Sequence, residues 1–173
     1  MFDTRSWGAT EQECAAGYPC DDHPPRPFVS FHRAVDVDAP VPLTFRWLCQ
    51  IRTAAYTYGR QHRSSPTLTP GADHLALGQR FLAFELVDFE TDRHLTGVTY
   101  PAAAKAYGEM AVTYRVVPRE PGASRLVVRL NAATPKGAAR IRAGLLAFGD
   151  TLMMRKQLLT LKALAERDAA ALP

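Results

Sequence analysis

The sequence predicts an α+β fold in which a curved antiparallel β-sheet wraps around one long C-terminal α-helix. Three observations favour this fold class. Several segments carry apolar residues at every second position and follow one another with short turns between them, as antiparallel strands do. One short helical segment lies near the first strand, and a long segment without proline closes the chain with apolar residues at helical spacing. The 173 residues suffice for one domain with one hydrophobic core.

The composition is that of an ordinary globular protein, with 47% hydrophobic and 22% charged residues. No segment approaches the roughly 20 consecutive apolar residues of a membrane span. The start, Met1-Phe2-Asp3-Thr4-Arg5, lacks the basic and apolar regions of a secretory signal. We therefore expect neither membrane insertion nor export by that route. The three cysteines cannot all pair with one another, so a reduced, cytoplasmic protein is the simplest expectation.

Residues 1–27 are expected to form an irregular N-terminal arm, either loose or laid over a domain that spans residues 28–173. The run Pro24-Pro25-Arg26-Pro27 blocks both a helix and a central strand. A strand with one buried face is predicted directly after it, at Phe28–Val37. Its apolar positions are Val29, Phe31, Val35 and Val37, and His32 and Asp36 point the opposite way.

The next element is a short amphipathic helix, because Leu43, Trp47 and Ile51 recur at helical spacing after a first turn that contains proline. Residues 52–78 are polar and rich in turn-forming types, which predicts a long loop. Alternating apolar residues then predict further strands, and the last segment predicts a single helix of roughly 45–50 Å. The predicted strands are 81–89, 94–100, 109–117 and 125–131, and the predicted helix runs from 136 to 168.

A family resemblance is carried by Arg33-Ala34-Val35-Asp36-Val37-Asp38-Ala39-Pro40, followed by Phe45 and Trp47-Leu48. These residues resemble the opening strand and first helix of the START-like superfamily, also called SRPBCC. Gly78-Gln79-Arg80-Phe81, the hairpin around Asp92-Arg93 and the long closing helix fit the same pattern, so the resemblance covers about residues 28–168. It implies a helix-grip fold with an internal ligand cavity. The superfamily includes polyketide cyclases, aromatases and lipid-transfer domains, so the resemblance implies no single reaction.

The chain lacks the motifs of several enzyme classes. It contains no Ser-centred nucleophile elbow, glycine-rich phosphate loop, His-Glu-x-x-His or Cys-x-x-Cys, so we expect no metal and no cofactor. The leading hypothesis is the binding of a hydrophobic or aromatic small molecule in a cavity between the sheet and the C-terminal helix. For each candidate ligand-binding residue, the alternative interpretation is that its side chain packs in the core or lies at the surface without contacting a ligand. The candidates are Trp47, Tyr56, Tyr58, Phe84, Tyr100, Met110, Val112, Tyr114, Val128, Leu145, Phe148, Leu152 and Met153.

The predicted strand at 81–89 is apolar on both faces except for one carboxylate on each, Asp88 on one and Glu85 on the other. Whichever face lines a cavity therefore brings in a carboxyl group whose pKa desolvation raises, as general acid–base catalysis requires. The alternative function is an enzyme resembling polyketide cyclases or aromatases, with Glu85, Asp88 and His94 as candidate catalytic residues. The competing interpretation is a carboxylate at the rim, or one paired with an arginine.

The pairing of the next two strands decides which of these groups meet. A tight turn between them places Phe89 opposite His94 and Glu85 opposite Val98. Tyr100 then shares a face with Glu85 and His94. This arrangement would bring a carboxylate, an imidazole and a phenol together.

The net charge of +4 is concentrated at the C-terminal end, where residues 136–173 hold seven basic and three acidic side chains. A basic helix permits a third hypothesis, an interaction module that contacts an anionic partner. A helix packed on one side also needs charged residues on its wet side, so binding to nucleic acid is not expected. A homodimer formed through a sheet edge or the helix end stays open.

Overall fold

The computed structural model describes residues 5–23, 27–54, 67–134 and 139–172, and in the last range side chains are described from Met153 onward. The strands are β1 (Ser6–Trp7), β2 (Phe28–Val37), β3 (Arg80–Phe81), β4 (Phe84–Glu90), β5 (His94–Thr99), β6 (Met110–Pro118) and β7 (Ser124–Ala133). The helices are α1 (Glu11–Ala15), α2 (Val41–Cys49), α3 (Pro101–Tyr107) and α4 (Ala139–Ala169), with short 3₁₀ segments at Pro19–Asp22 and Gln50–Arg52. The predicted α+β class, the short early helix and the long final helix are confirmed.

The seven strands form one sheet in the order β1-β2-β7-β6-β5-β4-β3. Every neighbouring pair is antiparallel except β1 and β2, which run parallel. The predicted antiparallel sheet therefore gains one edge strand that the sequence analysis did not anticipate. Within the described parts of the chain, no helix combines the length and the apolar character that crossing a membrane requires.

Helices α2 and α4 pack on the same face of the sheet, which we call the helix face; the opposite side is the outer face. Leu158 and Leu161 of α4 join one hydrophobic core with Val116, Leu126 and Val128 of the central strands. All five side chains are nearly or completely buried. Burying a side chain of this size stabilises a fold by about 1.5–3 kcal/mol. The C-terminal half of α4 is thus held firmly against the sheet, which is the helix-grip arrangement.

Polar contacts fasten the same half of α4. The indole Nε1 of Trp47 donates a hydrogen bond to Asp168 at 3.0 Å. Lys162 donates from Nζ to the carbonyl of Asp36 at 2.7 Å, and the amide of Asp38 donates to Glu166 at 2.9 Å. These bonds connect α4 to α2 and to the end of β2, so the last turns of the helix are fixed on two sides.

The strand predicted at 81–89 is in fact two strands. Leu82 adopts a left-handed backbone conformation with φ of 51°, which turns the chain sharply. Phe81 and Phe84 consequently face each other across a tight hairpin between β3 and β4. An apolar residue in this conformation carries no turn signal, so the sequence pattern reads as one continuous strand.

A β-bulge in β4 changes the predicted pairing with β5 by one residue. Glu85 pairs with Val98, as predicted. Beyond the bulge, His94 pairs with Glu90 rather than with Phe89. A bulge inserts one extra residue into a strand, and alternating apolar residues alone do not reveal it.

Helix α3 was not predicted. It begins with Pro101 in its first turn, where the missing N–H costs nothing, and three alanines follow. It ends at Gly108, whose φ of 93° is unfavourable for other residues. Only Ala103 is buried, so this helix lacks the apolar stripe on which the sequence analysis relied.

The description of residues 1–27 as irregular is wrong for part of that segment. Ser6 and Trp7 pair with His32 and Arg33 of β2. Helix α1 is closed by a capping box in which the amide of Glu13 donates to Thr10 Oγ1 at 3.2 Å and the Thr10 amide donates to the Glu13 carboxylate at 2.7 Å. The pattern Thr-x-x-Glu is a recognised helix start, and the proline-rich run after it obscured that signal.

Residues 5–23, which we call the N-terminal arm, include the edge strand β1 and from Gly8 onward lie across the outer face of the sheet. Tyr18 and Cys20 pack with Ala34, Ala111 and Val127 in a second hydrophobic cluster. Both side chains are almost completely buried. The central strands are therefore covered on both faces, by helices on one and by the arm on the other.

Ion pairs add to this attachment. Arg125 of β7 donates from Nη2 to the Glu13 carboxylate at 2.9 Å, and Arg129 lies 2.9 Å from the Asp21 carboxylate. The side chains of Arg125 and Glu13 are only 16% and 19% exposed, so water screens this pair less than a surface ion pair. The hydrogen bond from Arg125 lowers the pKa of Glu13 below the usual glutamate value.

We expect Gly8→Ala to loosen the arm. Gly8 has a φ of 73°, and a Cβ there would lie 2.2 Å from the carbonyl oxygen of Ala34. A left-handed alanine alone costs about 1–2 kcal/mol, which corresponds to roughly a fivefold or larger rise in arm opening. The labelling rate of the buried Cys20 thiol measures that opening. Gly17→Ala is the control, because a Cβ at Gly17 meets nothing within 4 Å; equal rates in both variants would contradict the interpretation.

Acid should weaken the arm through Glu13. Its folded pKa lies below the unfolded value of about 4.3, so the ion pair stabilises the attached arm above that pH and is lost as the pH falls through the folded pKa. Hydrogen–deuterium exchange of the arm amides, corrected for intrinsic rates between about pH 6 and pH 3, measures this. Glu13→Gln should show a smaller acid-induced increase than the unmodified chain. An identical increase in both would show that Glu13 is not responsible.

Candidate functional site

The helix face is closely packed in the middle of the sheet and less so toward one end of its strands. Val112 is completely buried. One row further along the strands, Val29, Ala132, Met110 and Thr99 stand side by side in the register and remain half-buried. We call these four residues the open row. The helix face therefore extends as a mainly apolar surface past the part that the described side chains fill.

Arg33 interrupts the apolar helix face near the β1 edge of the sheet. It lies in β2 on the side of Phe31 and Val35 and is 0% exposed. Its Nη1 donates to the carbonyls of Arg5 and His32 at 2.8 and 2.7 Å. The alternating pattern of β2 did not single out this residue, although it occupies an inward position of a strand whose other inward positions are apolar. A charge at such a position is a usable signal, because buried charges are costly unless they are paired.

Tyr114 and Gln157 form a second polar feature on this face. The Tyr114 hydroxyl donates to Oε1 of Gln157 at 3.0 Å, which links β6 to α4. Both side chains are at most 1% exposed. Val128 pairs with Arg33 on one side and with Tyr114 on the other, so the two polar residues stand in one row across three strands. The row places a cation and a phenol about 10 Å apart at their Cα atoms.

An aromatic wall closes the helix face beside Tyr114. The Phe81 ring lies 6.4 Å from the Tyr114 ring and 5.7 Å from the Phe84 ring. It occupies the space above Gly97, where an added Cβ would lie 2.6 Å from a ring carbon. Glycine at this strand position is thus required by close packing. The predicted residues Phe84 and Tyr114 belong to this wall.

The three predicted catalytic residues lie on the outer face. Glu85 shares its row with Val98, which packs against the arm's hydrophobic cluster. After the bulge, Asp88 returns to that same side, where its Oδ2 lies 2.9 Å from Nε2 of His94. The structure therefore brings Asp88 and His94 together but separates them from the helix face. The expectation that one of the two carboxylates must face a cavity beneath α4 is wrong, because the bulge puts both on one side.

The remaining predicted ligand-binding residues fall into three groups. Val112 and Val128 are buried on the helix face, and Met110 belongs to the open row. Trp47 is buried against the end of α4, while Tyr100 stacks under the Arg80 guanidinium, whose Cζ is 4.5 Å from its ring centroid. Met153 is 41% exposed. Tyr56 and Tyr58, and the side chains of Leu145, Phe148 and Leu152, lie outside the described residues.

The two buried thiols, Cys20 and Cys49, are poorly suited to nucleophilic chemistry. Burial raises the pKa of Cys20 to about 11 and that of Cys49 to about 12, so both thiols are protonated at neutral pH. Among the described side chains, no three His, Cys, Asp or Glu residues are grouped in a way that could hold a metal ion. The helix face is therefore apolar apart from a guanidinium, a phenol and an amide, and hydrogen bonds within the fold engage all three.

Comparison with known proteins finds no matching family model and no matching curated protein. Solved structures do match. Protein MLL2253 from Mesorhizobium loti is 17% identical with a TM-score of 0.54, and the match covers 80% of this chain and 98% of that one. The di-domain ARO/CYC StfQ from the steffimycin biosynthetic pathway is 13% identical with a TM-score of 0.52, covering 83% of this chain and 52% of that one.

A third match is the Aha1 dimer from Colwellia psychrerythraea. It is 12% identical with a TM-score of 0.50, and the match covers 80% of this chain and 96% of that one. At identities this low, a structural likeness shows the fold and leaves the function to the site. The chain thus has the helix-grip fold.

We expect Tyr114→Phe to destabilise the protein by about 1 kcal/mol, because the substitution removes one buried hydrogen bond and little volume. Urea-induced unfolding measures the free energy of unfolding. Tyr107→Phe removes the same atom from a side chain that is 60% exposed and should change stability by less than about 0.5 kcal/mol. If the two variants lose the same stability, the Tyr114–Gln157 contact contributes nothing specific.

Proposed function

We propose that the protein binds a hydrophobic or aromatic small molecule between the helix face of the sheet and α4. The observation that carries the proposal is the open row, a mainly apolar edge of the helix face that stays half-buried while the adjacent row, which contains Val112 and Leu130, is filled. Ligand sites are typically concave, mostly apolar and equipped with a few polar groups. The helix-grip fold positions such a surface beneath a long helix.

The open row is separated from the buried polar groups of the helix face. Val112, which is completely buried, lies between Met110 and Tyr114 on β6. The Tyr114 hydroxyl is bonded to Gln157 beyond that filled row. The ligand surface is therefore the open row itself, which is apolar except for Thr99 and fits a mainly apolar molecule.

Two alternative functions lack comparable support. A cyclase-type reaction that uses Glu85, Asp88 and His94 would need these groups beneath α4, and they lie on the outer face. An interaction through the basic C-terminal helix would need available cations. Lys162 instead bonds within the fold, and the Arg155 guanidinium lies 5.0 Å from the Trp7 ring centroid.

Native mass spectrometry of the purified protein tests the proposal first, because a tightly held ligand adds a defined mass. Fluorescence titration with anilinonaphthalene sulfonate, an apolar ring system with an anionic group, provides a second probe. We expect both to report one bound molecule per chain. A protein that carries no added mass and does not bind the dye would refute the proposal.

The location of the site is tested by Met110→Trp, which adds an indole to the open row. We expect the dye to bind at least tenfold more weakly, because the ring fills space that the ligand needs. Leu77→Trp is the matched control, because it adds the same indole at a position that is 65% exposed and does not belong to the open row. Unaltered affinity in Met110→Trp, with unfolding at the normal urea concentration, would place the ligand elsewhere.

A further inference from the structure

Three arginines are grouped on the outer face beneath the N-terminal arm. Arg125 and Arg129 lie on β7, and Arg115 of β6 pairs with Val127, which stands between them. Arg125 also pairs with Asp36 of β2 at 2.6 Å, so the sheet neutralises part of this charge; on an exposed sheet the remaining positive charge would attract anions. In this structure the arm covers the three arginines. The contacts that the arginines make with the arm indicate which chemical groups this surface binds.

The arm meets these arginines with an acid, an aromatic ring and a second acid. Glu13 pairs with Arg125 and Asp21 pairs with Arg129, each at 2.9 Å. Along the arm, Tyr18 lies between the two acids. The guanidinium carbons of Arg115 and Arg129 are 4.3 and 5.3 Å from the centroid of its ring. Cation–π contacts of this kind favour an aromatic side chain over an aliphatic one.

The three arginines also donate hydrogen bonds to backbone carbonyls of the arm. Those of Gly8, Ala16 and Gly17 accept hydrogen bonds of 2.6, 2.9 and 3.0 Å from Arg125, Arg129 and Arg115 respectively. Any polypeptide laid in the same direction can supply such carbonyls. The specificity of the surface therefore depends on the spacing of acid, ring and acid, which in the arm is positions 13, 18 and 21.

Helix α1 of the arm contributes no residue to either hydrophobic cluster. Helix α1 buries none of its residues. Between it and the sheet lies an open groove of about 370 Å³, whose floor includes Val117 and Val127. The arm thus depends on a few charge-assisted contacts and on Tyr18 and Cys20, rather than on a continuous apolar interface. Such attachments are among the first parts of a structure to open.

We propose that the outer face of the sheet is a docking surface for an acidic, tyrosine-containing segment of a partner protein, and that the N-terminal arm occupies it as an intramolecular competitor. The charge complementarity and the acid–ring–acid spacing identify the chemistry of the partner. A tethered segment acts at an effective concentration in the millimolar range, so the partner binds measurably only when the arm is weakened or the partner is in excess.

The test uses the full chain with Glu13→Gln and Asp21→Asn, in a Cys14→Ser background so that Cys20 is the informative thiol of the arm. The matched control carries Glu11→Gln and Asp22→Asn, which make the same charge change at two exposed positions. The probe is a fluorescent peptide with the sequence of residues 5–23 and serine in place of both cysteines. A second peptide also carries Tyr18→Ala.

We expect Cys20 of the Glu13→Gln/Asp21→Asn chain to be labelled at least tenfold faster than in the control, while the core thiol of Cys49 stays protected. The peptide should bind this chain at least tenfold more tightly than the control, and the Tyr18→Ala peptide should lose most of that affinity. Binding should weaken with added salt, because it depends on ion pairs.

Three results would overturn the proposal. Unchanged Cys20 labelling would show that the two acids do not hold the arm. Faster labelling without peptide binding would show that the exposed face is no docking surface. Self-association of the weakened chain that the free peptide fails to reverse would show that the occupant is a second copy.

Discussion

The structure depends on the burial of strands β6 and β7 from both sides. Helices cover one face and the arm covers the other, so polar side chains on the outer face are removed from water. Buried polar groups need hydrogen-bond partners, and these residues have them: Thr96 bonds Thr113 at 2.8 Å, and Asn131 donates to Asp21 at 2.7 Å. Because one of these partners belongs to the arm, the arm supplies part of the hydrogen bonding that the covered outer face needs.

The helix face differs from the outer face, because its side chains are apolar with few exceptions, of which the buried Arg33 is the most costly to bury. A buried guanidinium such as that of Arg33 contributes less stability than an apolar residue that fills the same volume. The carbonyls of Arg5 and His32 accept its hydrogen bonds, so Arg33 ties the start of the arm to β2. The two faces thus differ in chemistry: the helix face is mainly apolar, and the outer face carries paired charged side chains.

Sequence periodicity predicted the elements whose one-sided burial is strong. Phe28–Val37 was predicted with its bounds intact, and α4 to within a few residues. Alternation separates an apolar face from a polar one, but it does not say whether the polar face is wet. Thr113 and Arg129 therefore read as solvent-facing, although the arm covers them. The bulge in β4 left no trace in the pattern either, and it decided on which face Asp88 lies.

Gly97 and the ring above it have a consequence for engineering. The Phe81 side chain fills a volume that a residue at 97 would otherwise claim, beside the phenol of Tyr114. Replacing Phe81 with alanine would remove the ring that lies above Gly97 and beside the Tyr114 ring, and apolar voids left in this way take up small aromatic molecules. The space that Phe81 occupies is thus a position at which a binding site for a chosen aromatic compound can be engineered.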